Sequence, residues 1–250
     1  MEQFYSLIHL DETVSTNSYL NSLCERESIP DFTVVWADFQ TAGRGQRGNS
    51  WESEAGQNLT FSYVLHPDFI TAQKQFLLSE IAALAVKDAL EEFVDAISIK
   101  WPNDIYWQHK KICGMLIENN LTGTIIHRSI NGIGININQN TFLSPAPNPV
   151  SLVQIIGQKV EPSLILTRFM NYLRSYYNLL RKGEYAIIHS RYMQSLYRCD
   201  GFFWYRDRQG LFKGSIVKVE PSGRLWLKDE VGQERSYLFK EVEYVLSQSE

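Results

Sequence analysis

Apolar residues recur along this chain at two periods, and the switch between them divides it. Over residues 76–93, Leu77, Ile81, Leu84 and Ala85 fall at the spacing that lays one apolar stripe along a helix. Leu166, Phe169, Met170, Leu173, Tyr177 and Leu180 do the same, with Ser163 read as the cap that starts this helix and Gly183 as its stop. A shorter helix is predicted to follow Ser15, Thr16 and Asn17, all cap-forming types. It carries Leu20 and Leu23 and presents free N–H groups at its start. A further helix covers 185–196. Residues 33–37, 59–65, 97–101, 112–117 and 124–137 are rich in β-branched side chains and read as strands, with Gly123 turning between the last two. Pro102, Asn103 and Asp104 bend the chain after Trp101, and the prolines of 140–149 mark a loop. From Phe202 onward the period is two, as in 216–219 and 225–227, with turns at Pro221-Ser222-Gly223 and Glu230-Val231-Gly232. About 50 residues of short antiparallel strands predict a small barrel-like unit that needs its neighbour for stability.

Composition sharpens this picture in three ways. With 44% hydrophobic and 13% aromatic residues, the chain of 250 can bury a sizeable core, which excludes a disordered protein. A net charge of −4 speaks against a general nucleic-acid binder, so any basic site is local. Cys24, Cys113 and Cys199 are odd in number and lack metal-ligand spacing, as expected of small buried side chains in a reducing compartment. There is no basic start followed by an apolar core, and no run of the roughly 20 apolar residues a membrane span needs. A soluble, cytoplasmic protein is expected.

Candidate chemistry concentrates between Gln40 and Trp51. Gly43, Gly45 and Gly48 alternate there with Arg44 and Arg47. Glycine lets backbone N–H groups approach a ligand closely, successive N–H groups form an anion-binding concavity, and guanidinium groups add full charge. Trp51 supplies a flat face for a ring, so the loop suits a nucleotide. It is neither a Walker A loop nor a dinucleotide fingerprint. Lys100 and Lys111 stand at the borders of adjacent predicted strands and can converge on the same place, with Gly114 close behind. Asn103 and Asp104 are turn formers first; the other role open to Asp104 is to hold Mg²⁺ or to orient Lys111. Gly132 and Gly134 interrupt a β-branched strand, which suits close approach of a ligand or a bulge equally well. Asn136 suits an adenine edge or a structural amide. No nucleophile–base constellation and no metal-ligand pattern of histidines is present. That favours a reaction between bound substrates, run by positioning and charge.

In this order the motifs resemble those of the biotin protein ligases. Ser15-Thr16-Asn17, the loop from Gln40 through Arg44 and Gly45 to Trp51, Lys100-Trp101-Pro102-Asn103-Asp104, Lys111 with Gly114, and Gly132-Ile133-Gly134-Ile135-Asn136 all fall in the family's sequence. The resemblance covers roughly residues 10–140 strongly. It implies an α+β fold, a mixed or antiparallel sheet with helices on one face, as in the class II synthetase-like biotin/lipoate ligase catalytic domain. That domain would occupy residues 1–198, followed by an SH3-like β-barrel over 199–250.

The resemblance also implies roles. Biotin would lie against Ser15, Thr16, Asn17, Gln40, Arg44, Gly45, Gln46, Lys111 and Gly114. The nucleotide would lie against Arg44, Arg47, Trp51, Lys100, Asn103, Gly132, Gly134 and Asn136. Arg44 and Lys111 would be catalytic, gathering the biotin carboxylate and the α-phosphate of MgATP. The acceptor would be a lysine of a biotin carboxyl carrier protein domain. Two departures stand out. Gln46 replaces the second loop arginine, with Arg47 displaced by one, and Ser15 comes too early for a preceding DNA-binding domain, so no repressor activity is expected. No DNA or membrane partner is implied, and monomer and homodimer stay equally open. Two rivals share parts of the pattern: a lipoate–protein ligase or octanoyltransferase, and a non-catalytic sensor of biotin or nucleotide.

Overall fold

Seven strands form the sheet that carries the site: β1 (Ser6–Thr13), β2 (Thr33–Gln40), β3 (Leu59–Leu65), β4 (Ile97–Lys100), β5 (Asp104–Trp107), β6 (Lys110–Thr122) and β7 (Ile125–Ile135). They lie in the order β1-β2-β3-β7-β6-β5-β4. Only β1 and β2 run parallel; every other pairing is antiparallel. The computed structural model describes residues 4–143 and 148–246, apart from the side chain of Arg47. Part of the proline-rich loop expected over 140–149 therefore lies outside the described residues.

Alternation along the central strands sends one set of side chains to each face. Phe61 and Tyr63 of β3 and Ile133 and Ile135 of β7 are buried against α2 (Phe76–Glu91) and α4 (Pro162–Arg181). Each such apolar side chain contributes roughly 1.5–3 kcal/mol by leaving water. The other face is covered only in part. Leu20 and Leu23 of α1 (Thr16–Arg26) pack there on Val35, Val64 and Ile130. The larger helices thus share one face as expected, while α1 alone occupies the other and leaves the rest of it open.

Several boundaries differ from the sequence reading. Glu161 is the cap of α4 and Pro162 occupies its first turn, so Ser163 lies inside the helix. Proline is favoured there because its missing N–H would have had no partner in a first turn. The strand β1 was not predicted. It is an edge strand, exposed over much of its length, and its inward alternation is confined to Ile8 and Leu10. The short helices α3 (Leu152–Ile156) and α5 (Tyr185–Gln194) complete the helical set. Of the three cysteines only Cys113 is fully buried; Cys24 and Cys199 are half-buried, and all three are free.

A second sheet comprises β8 (Phe203–Asp207), β9 (Gly210–Val219), β10 (Leu225–Asp229), β11 (Glu234–Tyr237) and β12 (Glu243–Tyr244), ordered β11-β10-β9-β8-β12 and antiparallel throughout. Its Val219, Leu225 and Leu227 belong to the same core as α2 and α4. Backbone contacts fasten it: the Trp101 indole donates to the Gly223 carbonyl at 2.9 Å, and Arg198 donates to the carbonyls of Trp204 and Val245. Among the described residues, no helix is long and apolar enough to cross a membrane.

Candidate active site

One row of paired residues crosses the open face: Ala37, Thr60, Gly134, Gly114, Asp104 and Lys100. At its centre two glycines face each other on β7 and β6, leaving a bare strip of backbone. The indole of Trp51 lies on that strip. A Cβ on Gly134 would run into the ring, and one on Gly114 would sit 3.0 Å from Trp51 Cζ3. The two glycines are required by this close approach rather than by a bulge. Above them opens a cavity of about 810 Å³, within the size range of small-molecule sites.

The near wall is the start of α1. The Thr16 N–H, expected to be free, donates to Gln40 Oε1 at 2.8 Å, and the Thr16 hydroxyl lies 3.2 Å from the same oxygen. Asn17 is 3% exposed and all its polar atoms are taken: Nδ2 donates to the Leu116 carbonyl and to Glu118 Oε2, while Oδ1 accepts from Ser62 Oγ at 2.5 Å. Gly132, on the neighbouring row, leaves room for this amide, because a Cβ there would collide with Asn17 Oδ1. Close approach does call for glycine here, and what approaches in this structure is a side chain.

The arginine–glycine loop is folded as a small hairpin. Arg44 pairs with Ser50, the Gly45 N–H donates to Asn49 O at 2.6 Å, and the Trp51 N–H donates to Gly43 O at 2.9 Å. A turn of 3₁₀ helix over Gln46–Gly48 closes it, with Gly48 at φ 85°. Arg44 reaches across to β6 and makes a two-pronged contact with Glu118, NH1 to Oε1 at 3.2 Å and NH2 to Oε2 at 2.9 Å. Both side chains are over 40% exposed, so the pair is worth only about 0.2–1 kcal/mol and is open to exchange. Lys111 Nζ lies 2.7 Å from Asp104 Oδ1 and 5.9 Å from the Trp51 ring centre.

Lys100 converges on the same carboxylate from β4. Its ammonium sits over the rings of Tyr106 and Tyr244, at 5.4 and 4.9 Å. Burial pushes its pKa below the usual lysine range; Asp104 opposes that shift and Lys111 adds to it. Asp104 is therefore held among lysines. Among the described residues no three His, Cys, Asp or Glu side chains gather to hold a metal. Of the roles open to Asp104, the contact seen here is the one that orients Lys111.

Ser15, Thr16, Asn17, Gln40, Arg44, Gly45, Gln46, Trp51, Lys100, Asn103, Lys111, Gly114, Gly132 and Gly134 all line the one cavity. Asn103 is anchored by donating to the Met115 carbonyl. Asn136 is not in the lining. It is 3% exposed, and its amide donates to the Val150 carbonyl at 3.1 Å, tying Val150 to the end of β7. Of the two readings open to it, adenine edge or structural amide, this hydrogen bond is that of a structural amide. The side chain of Arg47 lies outside what is described.

Three contributors escaped the sequence reading. Ser62 shows only as a polar residue on a buried strand, Glu118 as a lone acid two residues beyond Leu116 on the Gly114 face of β6. The far wall comes from the second sheet, through Arg206, Phe239, Lys240, Glu243 and Tyr244. No local motif marks these last residues, because distant parts of the chain meet only after folding.

Comparison with known proteins matches this geometry. The sequence profile described as "Biotin/lipoate A/B protein ligase family" matches residues 10–136. The chain is 31% identical over 235 residues to the bifunctional ligase/repressor BirA of Bacillus subtilis, covering 92% of this chain and 72% of that protein. It is 29% identical over 239 residues to the biotin–[acetyl-CoA-carboxylase] ligase of Paracoccus denitrificans, covering 90% and 95%. Among solved structures, the biotin protein ligase of Aquifex aeolicus in complex with biotin and ATP superposes with a TM-score of 0.79 at 26% identity, over 97% of this chain and all of the other.

Proposed function

Because this chain belongs to the biotin/lipoate A/B protein ligase family, we propose that it is a biotin–protein ligase that makes biotinyl-5′-AMP and transfers the biotinyl group to a carrier lysine. The observation that most supports this is the pair of cations over the glycine floor, Arg44 and Lys111, opening on one cavity with Thr16 and Gln40. Its relatives and structural neighbours are biotin protein ligases, and one of those structures holds biotin and ATP.

In the first step an oxygen of the biotin carboxylate attacks the α-phosphorus of ATP. The bond from that phosphorus to the bridging oxygen breaks, and pyrophosphate leaves with the electron pair. Two anions must meet, so Arg44 and Lys111 lower their repulsion and stabilise the charge on phosphorus. Mg²⁺ enters with the nucleotide, as substrate. In the second step the neutral ε-amine of the carrier lysine attacks the carbonyl carbon, AMP departs, and the amine loses a proton. Gln40, held by Thr16, turns its remaining amide toward the ureido ring together with Ser15. Asn17 props this wall. Trp51 lies where a base would stack, and its buried indole N–H has no partner among the described residues. We treat residues 1–198 as the catalytic unit and 199–250 as a separate β unit that closes its far side, in keeping with their separate sheets. The carrier domain of a biotin-dependent carboxylase is the acceptor, and the cytoplasm is the setting.

Incubation with biotin, ATP and a biotin carrier domain, followed by intact-mass measurement, tests this. One biotinyl group on one lysine is expected; an unmodified carrier at equimolar enzyme would overturn the reading.

A further inference from the structure

Glu118 stands on the open face of β6 beside the cavity, behind Asn17 and Arg44 of its lining, with a carboxylate that does two jobs at once. Oε2 accepts from Asn17 Nδ2 at 2.8 Å and from Arg44 NH2 at 2.9 Å, and Oε1 accepts from Arg44 NH1 at 3.2 Å. It thereby joins the first turn of α1, strand β6 and the 43–51 hairpin at a single point. The contact consumes only one edge of the guanidinium. Of its five N–H donors two face Glu118, and the Nε–H has no partner among the described residues. The edge carrying Nε and NH2 therefore keeps a planar fork, the shape that matches a carboxylate or phosphate.

We infer that Glu118 is a positioning residue for adenylation: gripping one edge of Arg44, it aims the other edge at the reacting anions and latches the hairpin over the floor. This rests on the ligase reading above. It goes beyond that reading by assigning the aim of Arg44 to a carboxylate 74 residues away in the chain. Lys111 is likewise held by an acid of this chain, Asp104, at 2.7 Å. Glu118 differs in that it grips a loop residue, which has no strand to fix it. Its hold on Asn17 fixes the latch in turn, since Asn17 is itself pinned by Ser62 and by the Leu116 carbonyl.

The test uses Glu118→Gln in the full chain. Glutamine still accepts from Asn17 but loses the charged fork to Arg44, so the melting temperature is expected to stay within about 2 °C of wild type. Without any ligand, trypsin should cut after Arg44 about threefold faster or more, because the hairpin opens more often. In biotin-dependent ATP–pyrophosphate exchange, kcat should fall about tenfold while the biotin KM moves far less, as for an interaction that orients the transition state. In an Arg44→Ala background the same substitution should add nothing. Unchanged cleavage, or a kcat loss that adds in full to that of Arg44→Ala, would overturn the inference. If wild type shows no exchange, the ligase reading falls, and the cleavage rates still judge the latch.

Discussion

Arg44 and Lys111 carry the charge argument, and single substitutions separate their duties. Lys111→Ala should lose most biotin-dependent pyrophosphate exchange, about a hundredfold or more, because it removes charge stabilisation in the first transition state. Exchange near the wild-type rate would remove Lys111 from the mechanism. Arg44→Ala should also release the adenylate to water, read as AMP formed without biotinylated carrier; tight coupling of the two would count against a closing loop. Gly134→Val tests the floor, since any Cβ there meets the Trp51 ring. The KM for ATP should rise about tenfold as the indole is displaced. The residues of the five motifs were legible because each motif is contiguous. Glu118 and Ser62 were not, since they act on partners 74 and 45 residues away. Asn136 stayed open between two roles because an amide at a strand end looks the same whether it serves a ligand or bonds, as here, the Val150 carbonyl.

At the scale of elements, α2, α4 and α5 follow from their apolar spacing, and the central strands from their β-branched runs. The edge strand β1 offers only the short alternation of Ile8 and Leu10, and the cap of α4 was misplaced because serine is a commoner cap than glutamate. One junction between helices has a pH signature. Glu80 on α2 is 1% exposed and lies 2.8 Å from His189 Nδ1 on α5. Burial pushes the Glu80 carboxyl up, with His189 opposing. The hydrogen bond to Glu80 pushes the His189 imidazole above its ordinary 6.5, against burial. With a raised folded pKa, His189 contributes stability that is fully present below pH 6.5 and is lost as pH rises through the folded value. Urea melts of wild type and His189→Ala should therefore differ more near pH 6 than near pH 8.5. A constant difference would show that the imidazole acts by packing alone.

For the whole molecule, two sheets share one core and one cavity, and the second is more than an appendage. Its presence was legible in the switch of period near residue 199; its place in the cavity wall was not, because that depends on how it docks. Gly223 sits at the joint, with φ 90° and Phe76 Cδ2 only 2.7 Å from where a Cβ would be. Gly223→Val should cost about 2–4 kcal/mol in urea melts, combining a strained backbone with a steric clash. It should also raise the KM for ATP, since residues from 239 to 246 line the far side of the site. A stable variant with unaltered kinetics would detach that sheet from the chemistry. The central claim, that two cations over a glycine floor join biotin's carboxylate to the α-phosphorus of ATP, is tested most directly by exchange of labelled pyrophosphate into ATP. The account predicts exchange with wild type when biotin is present, none with lipoate in its place, and its loss in Lys111→Ala. Label entering ATP with lipoate alone, or with no acid at all, would contradict it.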